Sequence, residues 1–257
     1  MTDIQNALLN ALHVFADYCK SKNLTWFVDG GTLLGAVRSK GFIPWDDDFD
    51  ICMPRKDFDA LADEDHMHWA MDALFWQDPV TDPEYFNIHA RLRIDSTTAI
   101  SKREIGLNSH KGMFIDIYPI DEVSADHDIS AFLHDIRDVA ETLNDPELNA
   151  AIYLAMHRLL RKQHGDMVGP ACFSAYKKYA KNVAVSKAAY SDCVEMQFQS
   201  MTVNAPIGYD EILKLWYGND YMTPKNEPAF HSTFIDPLHD YHHYDNIKSF
   251  DELIRLI

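Results

Sequence analysis

Apolar positions recur at helical spacing from residue 3 to residue 22, through Ile4, Leu8, Leu12, Phe15 and Cys19, which predicts an amphipathic helix. Thr2, with Gln5 three residues later, has the form of a capping box at its start. LTWFVDGG then reads as a short buried strand halted at Gly30 and Gly31, and TLLGAVRSK as a short helix with Thr32 near its beginning. In GFIPWDDDFDICMP, extended parity sets Asp48, Asp50 and Cys52 on one face and Phe49, Ile51 and Met53 on the other, with Pro54 as the stop. Helical spacing resumes over RKDFDALADEDHMHWAMDALF. From Tyr85 to Ile100 the pattern turns extended, placing His89, Arg91 and Arg93 on one parity and Ile88, Leu92 and Ile94 mostly on the other. KGMFIDIYPID is a further strand, apolar around Asp116 and ended by Pro119. Residues 126–200 read as mostly helical, and the last part as a strand and turn, a helix from about Tyr209 to Tyr217 and an irregular tail. There is no internal repeat. The pattern predicts an α+β (α/β) fold: a catalytic core over 1–125 with a mixed β-sheet and flanking helices, a helical insertion or cap over 126–200, and a segment over 201–257 that completes the core.

Composition narrows the function classes. The 257 residues are 47% hydrophobic and 25% charged, enough to bury a substantial core. A net charge of −17 argues against a nucleic-acid binder and against a protein that rides on anionic membranes, since both depend on positive fields. The acidic, amphipathic start has no basic n-region and is not expected to be a signal peptide, and no apolar run is long enough for a transmembrane segment. Four scattered cysteines without a CxxC pair fit reduced thiols packed as small core residues in a cytoplasmic protein. HDYHHYD, with His239, His242 and His243, reads as a solvated tail segment rather than a metal site.

The chemistry concentrates where the acids do. Asp46, Asp47, Asp48 and Asp50 fall within five positions. Two carboxylates about 4 Å apart repel by roughly 4 kcal/mol at an effective dielectric near 20, so such a cluster is either splayed into water or neutralised. A divalent cation is the natural neutraliser where the strand's apolar face is buried, and Asp46 shares the parity of Asp48 and Asp50, whereas Asp47 suits an acidic loop. Asp116, alone among Phe114, Ile115, Ile117 and Tyr118, requires a partner: the same cation, or an arginine. Strand, Gly30-Gly31, helix is an order that brings phosphate to helical N–H groups, and equally that of a plain turn. Arg38, Arg91, Arg93 and Lys111 are candidates to neutralise phosphate, and each serves as well in structural pairing.

These parts match a phosphoryl-transfer site in which divalent ions stabilise attacking and leaving oxygens while glycines cradle the departing phosphate. The run DGGTLLGAVRSKGFIPWDDDFDICMPRKDF strongly resembles the LicD family, the phosphorylcholine-transferase-like proteins related to fukutin and the fukutin-related protein. LRIDSTTAI leading to KGMFIDIYPID, and YGNDYMTP with His231 beyond it, resemble the same family. The resemblance implies a nucleotidyltransferase fold. It implies transfer of a phospho-substituent, phosphocholine or a phospho-polyol, from a CDP-linked donor to a glycan acceptor hydroxyl, with release of CMP. It also implies Mg2+ or Mn2+ on Asp48, Asp50 and Asp116 and Gly30, Gly31 and Thr32 as the phosphate turn, while parity leaves Asp46 as a candidate further metal ligand. Asp116 then takes the acceptor's proton, and Arg38, Arg91, Arg93 and Lys111 are substrate-binding candidates. Two departures stand out: the stretch from Gly31 to Asp48 is longer than in generic nucleotidyltransferases, and His231 lacks an adjacent second histidine. The competing readings are a metal-dependent glycosyltransferase using a nucleotide-sugar and a catalytically silent nucleotide-binding protein.

Overall fold

A computed structural model of the chain describes residues 1–63, 73–123, 130–172, 184–225 and 233–256. His231, residues 64–72 of the helical stretch predicted over 55–75 and residues 173–183 of that predicted over 171–190 lie outside the described residues. The first helix, α1 (Asp3–Lys22), has the reciprocal Thr2–Gln5 capping box and buries Leu8, Leu12, Phe15 and Cys19. It ends at Asn23, whose left-handed backbone closes the last turn. β1 (Phe27–Val28) is shorter than predicted and feeds α2 (Gly30–Ser39), whose first turn the two glycines themselves form. β2 (Asp50–Pro54) and α3 (Arg55–Ala62) follow.

Beyond α3 the expectation of continued helix fails at Leu74 and Phe75. They belong to β3 (Leu74–Gln77), which pairs with β4 (Ala90–Ile94) and buries Trp76, so cross-strand pairing overrides the local spacing. The extended region splits at a turn into β4 and β5 (Thr98–Ser101). β6 (Met113–Val123) runs through Pro119 instead of ending there. Asp116 donates its N–H toward β2, so Pro119, of opposite parity, would direct its missing N–H toward β4, which no longer pairs past Ile117. The proline therefore removes no ladder bond.

The middle is less helical than its spacing suggests. It holds α4 (Ser130–Leu143) and α5 (Pro146–Leu160), but also β7 (Met167–Gly169), β8 (Val185–Ser186) and β9 (Cys193–Phe198), the last a hairpin with β10 (Met201–Pro206). α6 (Tyr209–Tyr217) matches its expectation. The tail is ordered: β11 (Thr233–Asp236) pairs with β5, and α7 (Phe250–Ile254) buries Leu253 against Ile100 and Phe234. Within HDYHHYD, His239 pairs with Asp236 and His242 with Asp245. The four cysteines form no disulfide and three are buried, whereas Cys193 is exposed, against the core role expected of it.

The central sheet has the order β1-β2-β6-β4-β3, with β7 and β8 added beside the end of β6. It is mixed: β2 and β6 run parallel, and the other pairs are antiparallel. With seven helices among the described residues, this is an α+β fold. One row across the sheet, Val28, Ile51, Ile117 and Ala90, is fully buried and faces the larger core that α1, α2 and α6 cover. The neighbouring row, Phe27, Cys52 and Tyr118, packs on the other side against Leu133, Met156 and Leu160 of α4 and α5. Layers on both faces hold the central strands rigid, and the acidic side chains emerge where those strands begin.

Candidate active site

Register assembles the site. Asp50 lies opposite Asp116 in the parallel β2–β6 pair, and Asp116 lies opposite Arg91 in the antiparallel β6–β4 pair. Three adjacent strands thus carry two negative groups and one positive group in a single row. Asp48, two residues before β2's first residue, completes a cluster in which one carboxylate oxygen each of Asp48, Asp50 and Asp116 lies within 4.8 Å of the others.

The α2 N-terminus forms the wall beside them. Gly30 has φ +51°, a left-handed conformation, and a Cβ there would stand 2.4 Å from Asp50 Oδ2. A Cβ on Gly31 would stand 3.1 Å from Asp46 Oδ2. The glycines therefore admit carboxylates to the positive end of the helix, the same close approach that was expected for phosphate. Thr32, buried, uses its hydroxyl to accept the Asp50 N–H at 3.0 Å, which fixes the strand start rather than presenting a donor to the cleft.

Electrostatics in the cluster are one-sided. Burial, with Asp48 and Asp47 adding repulsion, pushes the Asp46 carboxyl up to about 8. Burial, then Asp48, Asp116, Asp29 and Asp46, pushes Asp50 well above the usual carboxylate range. Asp116 behaves oppositely. Burial works to raise its pKa, but the guanidinium of Arg91 and the ring of His89 outweigh it and hold Asp116 well below the ordinary value. Arg91 Nε donates to Asp116 Oδ1 at 2.6 Å, His89 Nε2 lies 3.2 Å from the same oxygen, and the Tyr118 hydroxyl donates to Oδ2 at 3.3 Å.

A divalent cation fits this donor set. Three hard oxygen donors converge, and the repulsion that raises Asp46 and Asp50 is what a bound cation relieves.

The other expected cations go elsewhere. Arg93 is fully buried and spends its guanidinium on Gln77 Oε1, the Gly112 carbonyl and Glu104 Oε1, so it braces β3, β4 and the following loop. Lys111 donates to the Leu107 carbonyl at 2.5 Å and lines a different cavity. Arg38 sits in the last turn of α2, eight residues past Gly30 and about 12 Å along the helix axis. Of the four, Arg91 alone joins the acids.

Three residues of the site were not singled out from the sequence: Asp29, His89 and Tyr118. Asp29 precedes α2, is 1% exposed, has neither oxygen hydrogen-bonded among the described residues, and is pushed up to about 6 by burial. An acid at the end of a buried strand, directly before two glycines, was the available signal. His89 shares the parity of Arg91, which already placed it on the same face.

Residues 23–145 match the family model described as LicD/FKTN/FKRP, nucleotidyltransferase domain. A stretch of 72 residues is 42% identical to the lipopolysaccharide cholinephosphotransferase LicD of Haemophilus influenzae, covering 26% of this chain and 27% of that protein. The chain thus matches about a quarter of the length of this curated relative. The family match contains every residue of the acidic cluster, the two glycines and Arg91. By sequence, residues 23–145 match a LicD-family domain.

Proposed function

We propose that the protein is a metal-dependent transferase that moves a substituted phosphate group, of the phosphocholine or phospho-polyol type, from a CDP-linked donor to a glycan hydroxyl and releases CMP. The observation that carries this reading is the convergence of Asp48, Asp50 and Asp116 on one space beside the α2 N-terminus, inside a segment that matches the LicD family. Support for the phosphocholine class comes from the similarity to the Haemophilus lipopolysaccharide cholinephosphotransferase.

Asp48, Asp50 and Asp116 would hold Mg2+ or Mn2+, with Asp46 at the rim; the cation would neutralise the donor's diphosphate and the departing nucleotide. The chain's own groups divide the remaining work. Arg91 and His89 favour the ionised form of Asp116, which keeps its carboxylate ready for the cation and, in the role the resemblance implies, for the hydroxyl proton. Gly30 and Gly31 leave room for the Asp50 and Asp46 carboxylates against the helix end.

Purified protein incubated with manganese and a panel of CDP-linked, UDP-linked and GDP-linked donors tests the reading through the nucleotide released. CMP from a CDP-linked donor is expected, and Asp50→Asn should abolish it while leaving the thermal melt cooperative. Release of UDP or GDP would replace the reading with glycosyl transfer, and near-normal turnover by Asp50→Asn would overturn the mechanism.

A further inference from the structure

A cavity of about 400 Å³ opens beside Arg91, with Tyr85, Phe86, Asn87, Ser109 and Asn144 among its lining residues. That volume falls within the roughly 300–1,000 Å³ typical of small-molecule sites. Arg91 stands between the cavity and the acids. Its Nε holds Asp116, its guanidinium lies 3.6 Å from the centre of the Phe114 ring, and its terminal nitrogens make no hydrogen bond or ion pair among the described residues. Two N–H-bearing ends of a fixed fork therefore face the cavity at the edge of the reaction centre.

Two of the three acids lining this space are held in ion pairs. Glu104 pairs with Arg93, Glu141 pairs with Arg103 and Arg137, and Glu84 accepts the Asn108 N–H. A cationic headgroup would find two arginines in the wall, Arg91 and Arg103, and of the three lining acids only Glu84 has no cation paired with it among the described residues. The wall also carries the fork of Arg91, the side-chain amides of Asn87 and Asn144, aromatic surface and a hydroxyl. Ser109 is 4% exposed, and its Oγ is buried without a hydrogen-bond partner. Ser109, Glu104 and Leu107 also form part of the wall of a second cavity of about 1030 Å³, beneath the C-terminal segment. A ligand longer than one ring therefore has somewhere to continue.

We propose that the cavity beside Arg91 binds a neutral, polyhydroxylated ligand, a saccharide ring of the acceptor, so that a ring hydroxyl is presented toward the acids while further sugars extend across Ser109. The assignment rests on the transferase reading. The same chemistry in the donor would be a polyol, and the test separates the two.

Saturation-transfer NMR on the full chain uses methyl β-galactoside, methyl β-glucoside, methyl N-acetyl-β-glucosaminide and ribitol as probes, with and without CMP. At least one glycoside is expected to show transfer that CMP does not displace. Ser109→Ala, which removes an unpartnered buried hydroxyl without adding volume and so spares the fold, should weaken it about fivefold, the loss of one hydrogen bond of about 1 kcal/mol. Phe86→Ala should weaken it comparably. Transfer to ribitol alone, displaced by CMP, would assign the same cavity to the donor and overturn the acceptor assignment. No transfer from any probe, or transfer undiminished in both variants with unchanged melts, would overturn the cavity as a hydroxyl-ligand site. CMP release from CDP-choline is measured in parallel, so a protein that turns over the donor yet binds no glycoside fails this inference alone.

Discussion

Replacing Arg91 by methionine isolates the electrostatic core of the site. The Asp116 side chain is 7% exposed and that of Arg91 15% exposed, with Nε and Oδ1 2.6 Å apart. Removing one member of a buried ion pair costs about 3–5 kcal/mol, because the other charge is left uncompensated. His89 and Tyr118 still donate to Asp116, and methionine keeps much of the packing on Phe114, so the cost should fall near the lower end, about 3 kcal/mol. Urea unfolding without added metal reads this directly, as a lower midpoint at unchanged slope. The same substitution removes a positive charge that repels a cation at Asp116, so the variant should bind Mn2+ more tightly than the wild type. A ligand at one hundred times its Kd stabilises by about 2.7 kcal/mol, enough for saturating Mn2+ to restore most of what the substitution removes. A loss below about 1 kcal/mol, the range of exposed pairs, together with unchanged Mn2+ affinity, would refute the claim that Arg91 holds the Asp116 charge.

Three further outcomes follow from the same geometry. Gly30→Ala forces a left-handed backbone and a Cβ 2.4 Å from Asp50 Oδ2, so it should cost about 1–3 kcal/mol in thermal or urea unfolding and abolish donor turnover. Arg55→Met strips a two-bond pair from Asp121, whose side chain is 1% exposed, and should lower stability by about 3–5 kcal/mol without changing the acidic cluster's Mn2+ affinity. His157 is buried, accepts from Arg55 at Nδ1 and donates from Nε2 to the Ile88 carbonyl, an arrangement only the neutral ring supports. Burial, with Arg55, lowers its pKa from 6.5 to about 3, so the unfolded chain binds the extra proton. Its contribution is complete above pH 6.5 and declines by about 1.4 kcal/mol per pH unit below it, and a His157→Gln variant should show a shallower acid limb in urea midpoints.

The acidic motif was legible because its physics is local. Parity alone put Asp48 and Asp50 on one face with Ile51 and Met53 on the other, and capping chemistry alone fixed the start of α1. What parity cannot supply is register. That Asp116 stands opposite both Asp50 and Arg91 depends on how three strands align, and the motif spacing brings them to mind without fixing them. The arginines illustrate the limit: Arg91 and Arg93 share a face, yet one reaches Asp116 and the other is absorbed by Gln77, Gly112 and Glu104. Pro119 misled for a related reason, since a proline ends a strand only where its missing N–H would have met a neighbour. Leu74 and Phe75 carried helical spacing into a segment that β4 recruits as a strand. The tail looked irregular because its order comes from β5, more than a hundred residues earlier.

Calorimetric titration of the full chain with Mn2+ bears most directly on the central claim, that Asp48, Asp50 and Asp116 jointly hold a cation. Saturable binding at near-neutral pH is expected, abolished in Asp48→Asn and Asp50→Asn and strengthened in Arg91→Met. No saturable heat up to about 10 mM, beyond the ~1 mM weak end of oxygen-ligand cation sites, or equal binding by the asparagine variants, would contradict it.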